Sequence, residues 1–180
     1  MRYQDGLWVF GYGSLIWKPG FDYAQKHLAE LGGFHRAFCM WSVHYRGTAE
    51  APGLVLALDP MEGASCHGVA YHVERDNAED VHEYLREREL VSSAYYEGFQ
   101  PVRLADGREV EALCYIVDRK HSQYAGGLDL SAQASVIAGA TGSAGPNCEY
   151  LHNTAEHLDE LGIADPDMRT LSRLVRNSAR

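Results

Sequence analysis

Two stretches of this sequence carry residue types that can do proton-transfer and anion chemistry. Glu89 closes a segment, 77–89, in which Val81, Tyr84 and Leu85 supply an apolar stripe, a spacing that predicts an amphipathic helix. The four-residue row Val81, Leu85, Glu89 then sets a carboxylate on the face otherwise used for burial. Desolvation and the negative end of the helix dipole both disfavour its anion, so its pKa is expected to rise toward the range of a general acid or base. The alternative for the same residue is pairing with Arg86 or Arg88, or exposure at the helix end. Glu83 and Glu87 lie on other faces and read as solvated charges.

The second stretch is 8–17, in which an apolar strand (Trp8, Val9, Phe10) breaks into Gly11-Tyr12-Gly13-Ser14 before Leu15, Ile16 and Trp17 resume. Glycines flanking a tyrosine allow positive φ and close approach to the main chain, so successive N–H groups can converge on a carboxylate or an oxyanion. A tight turn between two core segments is the plain alternative. Ile16 stands where a dinucleotide fingerprint needs its third glycine, Leu15 follows Ser14 where a phosphate-binding loop needs other chemistry, and Tyr12 and Ile16 replace the glycines of a nucleophile elbow. Covalent catalysis by Ser14 would also require a positioned histidine, which the sequence does not single out.

These groups need a scaffold. Apolar or β-branched runs at 34–43, 54–58, 66–73, 99–104 and 110–117, divided by turn chemistry, predict strands in addition to the one before the loop, and Asp106-Gly107 marks a hairpin. Asn77 is the expected N-cap of the helix that ends at Glu89, and further helices are expected at 131–140, 147–161 and 166–175. Asp165-Pro166 opens the last as cap residue and first-turn proline. Strands gathered early and helices late predict an α+β fold, a mostly antiparallel β-barrel core of about six strands flanked by helices, as a single domain over 1–180. Tyr95 and Tyr96, just past the helix, can place a phenol beside Glu89, although packing is the alternative. Arg46 and Tyr115 are possible substrate contacts, with surface pairing and strand packing as their plainer roles. Gly142 to Asn147 is a second glycine-rich loop, either an anion site at a helix N-terminus or a structural connector.

Composition narrows the partners. A formal charge of −9 argues against nucleic acid, which demands a positive footprint. No apolar run spans a bilayer and no secretory pattern is visible, so a cytoplasmic protein is expected. Cys39, Cys66, Cys114 and Cys148 lack metal-site spacing, and His152 and His157 are five apart, off a common helix face. Neither a metal nor a cofactor is expected.

Three segments together resemble the ChaC-type γ-glutamylcyclotransferases: 9–17 (Val-Phe-Gly-Tyr-Gly-Ser-Leu-Ile-Trp), the Tyr84-Leu85 to Arg88-Glu89 helix end with Tyr95 six residues beyond, and 142–151 (Gly-Ser-Ala-Gly-Pro-Asn-Cys-Glu-Tyr-Leu). The resemblance implies a γ-glutamylcyclotransferase-like fold and cleavage of glutathione to 5-oxoproline and cysteinylglycine. It assigns the γ-glutamyl moiety to Phe10, Gly11, Tyr12, Gly13, Ser14 and Leu15, adds Tyr95 to the substrate-binding set, and makes Glu89 the catalytic glutamate. It leaves two alternatives: a cyclotransferase for other γ-glutamyl amines or dipeptides, or a noncatalytic binding protein such as a regulator of a cation transporter.

Overall fold

A computed structural model describes residues 3–91 and 93–179. The elements run β1 (Leu7–Gly11), a 3-10 turn (Ser14–Ile16), β2 (Gln25–Ser42), β3 (Gly53–Val73), α1 (Arg75–Glu89), β4 (Tyr95–Leu104), β5 (Glu109–Val117), α2 (Leu130–Gly139), β6 (Thr141–Gly142), β7 (Gly145–Pro146), α3 (Asn147–Glu160) and α4 (Pro166–Ser178). Backbone contacts gather into two compact units, residues 1–36 with 58–118, and 37–57 with 119–180.

The first unit contains the barrel pairings. Strand order is β1-β3-β2-β4-β5, closed where β5 pairs with β1, with a further pairing of β3 with β5. The long ladders are antiparallel: β1 on β3 from Leu7↔Val73 to Gly11↔Val69, and β4 on β5 from Tyr95↔Val117 to Arg103↔Glu109. Closure adds short parallel pairings of β5, through Trp8↔Ala112 and Val9↔Leu113 to β1 and Leu58↔Ile116 to β3. The Asp106-Gly107 hairpin is present, with Gly107 at φ 92°. α1 buries Ala78, Val81, His82 and Leu85, and a cluster of Leu7, Val9, Leu15, Val73, Val81, Leu85, Leu113 and Tyr115 forms the core beneath it.

Several boundaries differ from the sequence reading. The runs 54–58 and 66–73 are parts of one strand, β3, which continues through Asp59-Pro60; Pro60 lies at a half-buried position and Gly63 takes φ 79° inside the strand. A proline and a left-handed glycine mark a bend in a strand as readily as a break. β2 begins at Gln25, nine residues before the expected start, and carries Gly33 at φ 83°. The N-cap position of α1 is Glu74, not Asn77, whose N–H instead donates to the Glu74 carbonyl at 3.0 Å.

The second unit packs α2, α3 and α4 with the remaining residues of β2 and β3. Asn147, fully buried, accepts from the Leu54 N–H and donates to the Leu54 carbonyl, both at 2.8 Å. The glycine-rich loop before α3 is thereby a structural connector. Arg46 donates to the Pro146 carbonyl at 3.1 Å and lies 5.6 Å from the Tyr150 ring centroid, so its observed contacts are packing ones. Asp165 caps α4 through the Met168 N–H at 3.1 Å. Among the described residues, no helix is long and apolar enough to cross a membrane.

Candidate active site

α1 brings Glu89 to the site. Asp76 in its first turn and Arg86 and Arg88 in its last match the helix dipole, and the buried row 78, 82, 85 leads by a further four residues to Glu89. The Glu89 side chain is 18% exposed. Burial pushes its carboxyl above the ordinary range, with the Arg88 guanidinium pulling the other way. Both sequence readings of Glu89 hold in part: the residue is mostly withdrawn from solvent, and its Oε1 is 3.3 Å from the Arg88 Nε.

Arg88 joins the helix end to the glycine loop. Its Nη1 donates to the carbonyls of Lys18 at 2.8 Å and Pro19 at 3.0 Å, and to the Tyr84 hydroxyl at 3.2 Å. Its Nη2 donates to Ser14 Oγ at 3.1 Å. One guanidinium therefore holds Ser14 and the Glu89 carboxylate on the same group, as a planar fork with several donors can.

The loop is held from behind by two buried side chains. Arg36 Nε donates to the Tyr12 carbonyl at 2.6 Å, and its Nη2 donates to the His67 carbonyl. The Tyr71 hydroxyl is placed to donate to the carbonyls of Leu15 and Ile16, at 2.8 and 3.0 Å. The Ile16 N–H donates back to Gly13 at 2.9 Å. With these carbonyls turned inward, the leading N–H groups of the Ser14–Ile16 turn have no partner inside it, as at any helix start.

The glycines act by close approach. Gly13 has φ −136°, and neither Gly11 nor Gly13 has positive φ, contrary to the expectation from sequence. A Cβ on Gly11 would stand 3.1 Å from Leu15 Cβ, and one on Gly68 would stand 2.3 Å from the Gly11 carbonyl oxygen. The turn folds tightly onto β1, and β1 lies tightly on β3.

The expected binding residues separate into two groups. Ser14 meets Arg88, and Leu15 enters the cluster with Leu85 and Tyr115, against which the half-buried Tyr95 packs. The Phe10 ring is fully buried beside Gly68, so Phe10 can serve a ligand only through its main chain; Tyr12 is 7% exposed. Tyr96 is exposed and Tyr95 is not, as their positions on alternate faces of β4 require.

Sequence reasoning missed Arg36, Tyr71, His82 and Glu97, and gave Arg88 and Tyr115 only minor roles. Glu97 accepts from His82 Nε2 at 2.7 Å, Arg86 Nε at 2.8 Å and the Tyr115 hydroxyl at 3.4 Å. The only sequence signal for this set was His82 on the row that leads to Glu89.

Residues 7–178 match the ChaC-like protein family. The chain is 36% identical over 168 residues to the glutathione-specific γ-glutamylcyclotransferase of Escherichia coli, covering 93% of this chain and 72% of that protein. It is 32% identical over 161 residues to human glutathione-specific γ-glutamylcyclotransferase 1, covering 88% and 72%. The crystal structure of the yeast γ-glutamyl cyclotransferase specific to glutathione superposes with a TM-score of 0.86 at 27% identity, covering 98% of this chain and all of that one. A closed barrel with α1 packed on its core, a glycine loop after its first strand and a mostly buried glutamate bound to that loop through arginine thus accompany matches along nearly the whole sequence: the chain belongs to the ChaC-like family.

Proposed function

We propose that this chain is a γ-glutamylcyclotransferase that releases 5-oxoproline and cysteinylglycine from glutathione, with Glu89 as general acid and base. The observation that carries the reading is the Glu89 carboxyl, buried and raised in pKa, tied through Arg88 to the loop after β1.

The γ-glutamyl α-amine and γ-carbonyl belong to one molecule, so closing a five-membered lactam is an intramolecular attack and proximity is inherent in the substrate. Ionised Glu89 takes a proton from the α-ammonium. The freed amine attacks the γ-carbonyl, and the tetrahedral intermediate collapses as the peptide C–N bond breaks. Protonated Glu89 returns that proton to the departing nitrogen, and the second proton shed by the new ring nitrogen converts the released amine to its ammonium, leaving a neutral lactam and the Glu89 carboxylate as it began. A carboxyl whose pKa is raised toward neutrality suits both transfers. In this reading the N–H groups of Gly13, Ser14 and Leu15 hold the α-carboxylate or the developing oxyanion, and Tyr95 lines the γ-glutamyl side. The four cysteines are free thiols, which suits a reducing compartment, and we place the reaction in the cytoplasm.

The test is to incubate the purified protein with glutathione, γ-Glu-Ala and γ-Glu-ε-Lys in parallel and follow 5-oxoproline by mass spectrometry, with Glu89→Gln as control. Release from glutathione that is lost in Glu89→Gln supports the full reading. Release from another compound moves the substrate and keeps the chemistry. No 5-oxoproline from any of the three refutes it in favour of a binding protein.

A further inference from the structure

Behind Glu89, the same unit contains a polar cluster that the acid–base mechanism does not use. The Glu97 carboxylate is gripped on one oxygen by Arg86, whose Nε and Nη2 lie 2.8 and 2.7 Å from Oε1. Its other oxygen receives His82 Nε2 at 2.7 Å and the Tyr115 hydroxyl at 3.4 Å. His82 is almost fully buried, and its Nδ1 is bonded to the Tyr3 hydroxyl. A carboxylate only accepts, so His82 presents Nε2–H to Glu97 while its Nδ1 meets the Tyr3 hydroxyl. Burial pushes Glu97 up, but the bonds from Arg86 and His82 outweigh it and hold the carboxyl below its ordinary range. Glu97 is thus a fixed anion.

Tyr115 is the member of this cluster that also packs in the core with the loop residue Leu15. It pairs with Glu97 across β4 and β5, is 1% exposed, and packs with Leu15 of the loop and with Leu85, one turn before Glu89. Burial, then the charges of Glu97 and Glu89, keep its phenol protonated. A hydroxyl has one proton to give and lone pairs to receive with.

We propose that Glu97 is a positioning residue: held by Arg86 and His82, it takes the single proton of the Tyr115 hydroxyl and so makes Tyr115 an acceptor for the substrate's α-amino group beside Glu89. This rests on the cyclotransferase reading and deepens it. With one N–H of the amine bonded to Tyr115 and another given up to Glu89, the nitrogen lone pair is aimed at the γ-carbonyl. Misplacing a reacting group by about 1 Å can cost about a hundredfold in rate.

The experiment compares wild type, Tyr115→Phe, Glu97→Gln and the double variant for glutathione turnover. Alongside, it measures inhibition by glutaryl-cysteinylglycine, which is glutathione without its α-amine. The expected result is a kcat lowered about tenfold or more in each single variant with a much smaller change in KM. The double variant should be no worse than Tyr115→Phe, because Glu97 acts through Tyr115. The inhibition constant of the amine-free analogue should stay within about twofold throughout, since that compound has nothing to offer Tyr115. Independent, multiplying losses in the double variant would overturn the proposal, as would an analogue that weakens in step with turnover, the mark of a merely structural role. If Glu97→Gln does not fold by thermal melting, Tyr115→Phe decides alone: wild-type kcat, or loss of analogue binding, overturns it. A wild type that releases no 5-oxoproline brings down the cyclotransferase reading itself, and this one with it.

Discussion

Gly68→Ala isolates how closely β1 must lie on β3 for the loop to work. The added Cβ would stand 2.3 Å from the Gly11 carbonyl oxygen and 3.0 and 3.1 Å from the Phe10 ring, where ordinary contact begins at 3.4 Å. The shortfall against the carbonyl is about 1.1 Å by difference, and the obstacle is backbone in the β1–β3 ladder, where Gly11 pairs with Val69. Gly68 does not have positive φ, so the perturbation is steric and not conformational. Overpacking of this kind costs about 1–3 kcal/mol. If the ladder yields by about 1 Å, Gly11 and the turn at Ser14–Ile16 move with it, and kcat/KM should fall up to about a hundredfold. Urea unfolding and 5-oxoproline release measure the two effects. Gly32→Ala is the control: it lies in the same unit with nothing within 4 Å of its added Cβ and without positive φ, so both readouts should stay near wild type. A Gly68→Ala protein with wild-type stability and turnover would show that β1 and the loop are not fixed by this contact.

Glu89→Gln should lower turnover on the order of 100-fold or more while keeping the fold, as for loss of a general base; a folded variant with normal turnover would exclude the role. Because the folded pKa of Glu89 is raised, its stabilising contribution is complete below about 4.3, the ordinary glutamate value, and is lost as pH rises through the folded pKa. The stability of Glu89→Gln relative to wild type should therefore increase with pH across that window in urea titrations, and a gap independent of pH would contradict the burial argument. Arg88→Met removes the bonds to Lys18, Pro19 and Ser14 and should reduce kcat/KM about tenfold or more, with a loss of about 1–3 kcal/mol in chemical unfolding; unchanged kinetics would dissociate the loop from the helix end. Asn147→Ala leaves a buried N–H and carbonyl of Leu54 unpaired and should cost about 2–4 kcal/mol in the same assay; a loss below 1 kcal/mol would show that other groups replace the amide.

Legibility from sequence followed the range of the interactions. The starts of α3 and α4, the Asp106-Gly107 hairpin and the burial of Glu89 are set by neighbours within a few residues, and all were readable. Periodicity also placed Val81, Leu85 and Glu89 on one side of α1, although it counted Tyr84 in the stripe when that residue is 36% exposed. Arg36 is one basic residue in the aromatic run 34–43, with no local signal of its own. Its partners are the carbonyls of Tyr12 and His67, which are 24 and 31 residues away, and only the ladders bring them to it. Glu97 and Tyr115 share a hydrogen bond because β4 and β5 align them in register, which no local pattern specifies. The extra length of β2 was hidden because residues 25–28 are mostly exposed, so the apolar signal of a strand is weak there. In β3 the expected break at Asp59-Pro60 treated proline as a terminator, although a proline can be tolerated in a strand where its missing N–H is not needed.

β5 is bonded to β4, β1 and β3 within one closed sheet, and that connectivity sets how the interior breathes. A strand with partners on every side has no edge from which to fray, so its amides reach solvent only when the sheet opens as a unit. Hydrogen exchange at Leu113, Cys114, Tyr115 and Ile116 should then report the global unfolding free energy, with the slowest deuterium uptake in the chain. The phenol opposite Glu97 would ride on the least labile part of the molecule, while the exposed side chains of Tyr84 and Val91 lie outside that sheet.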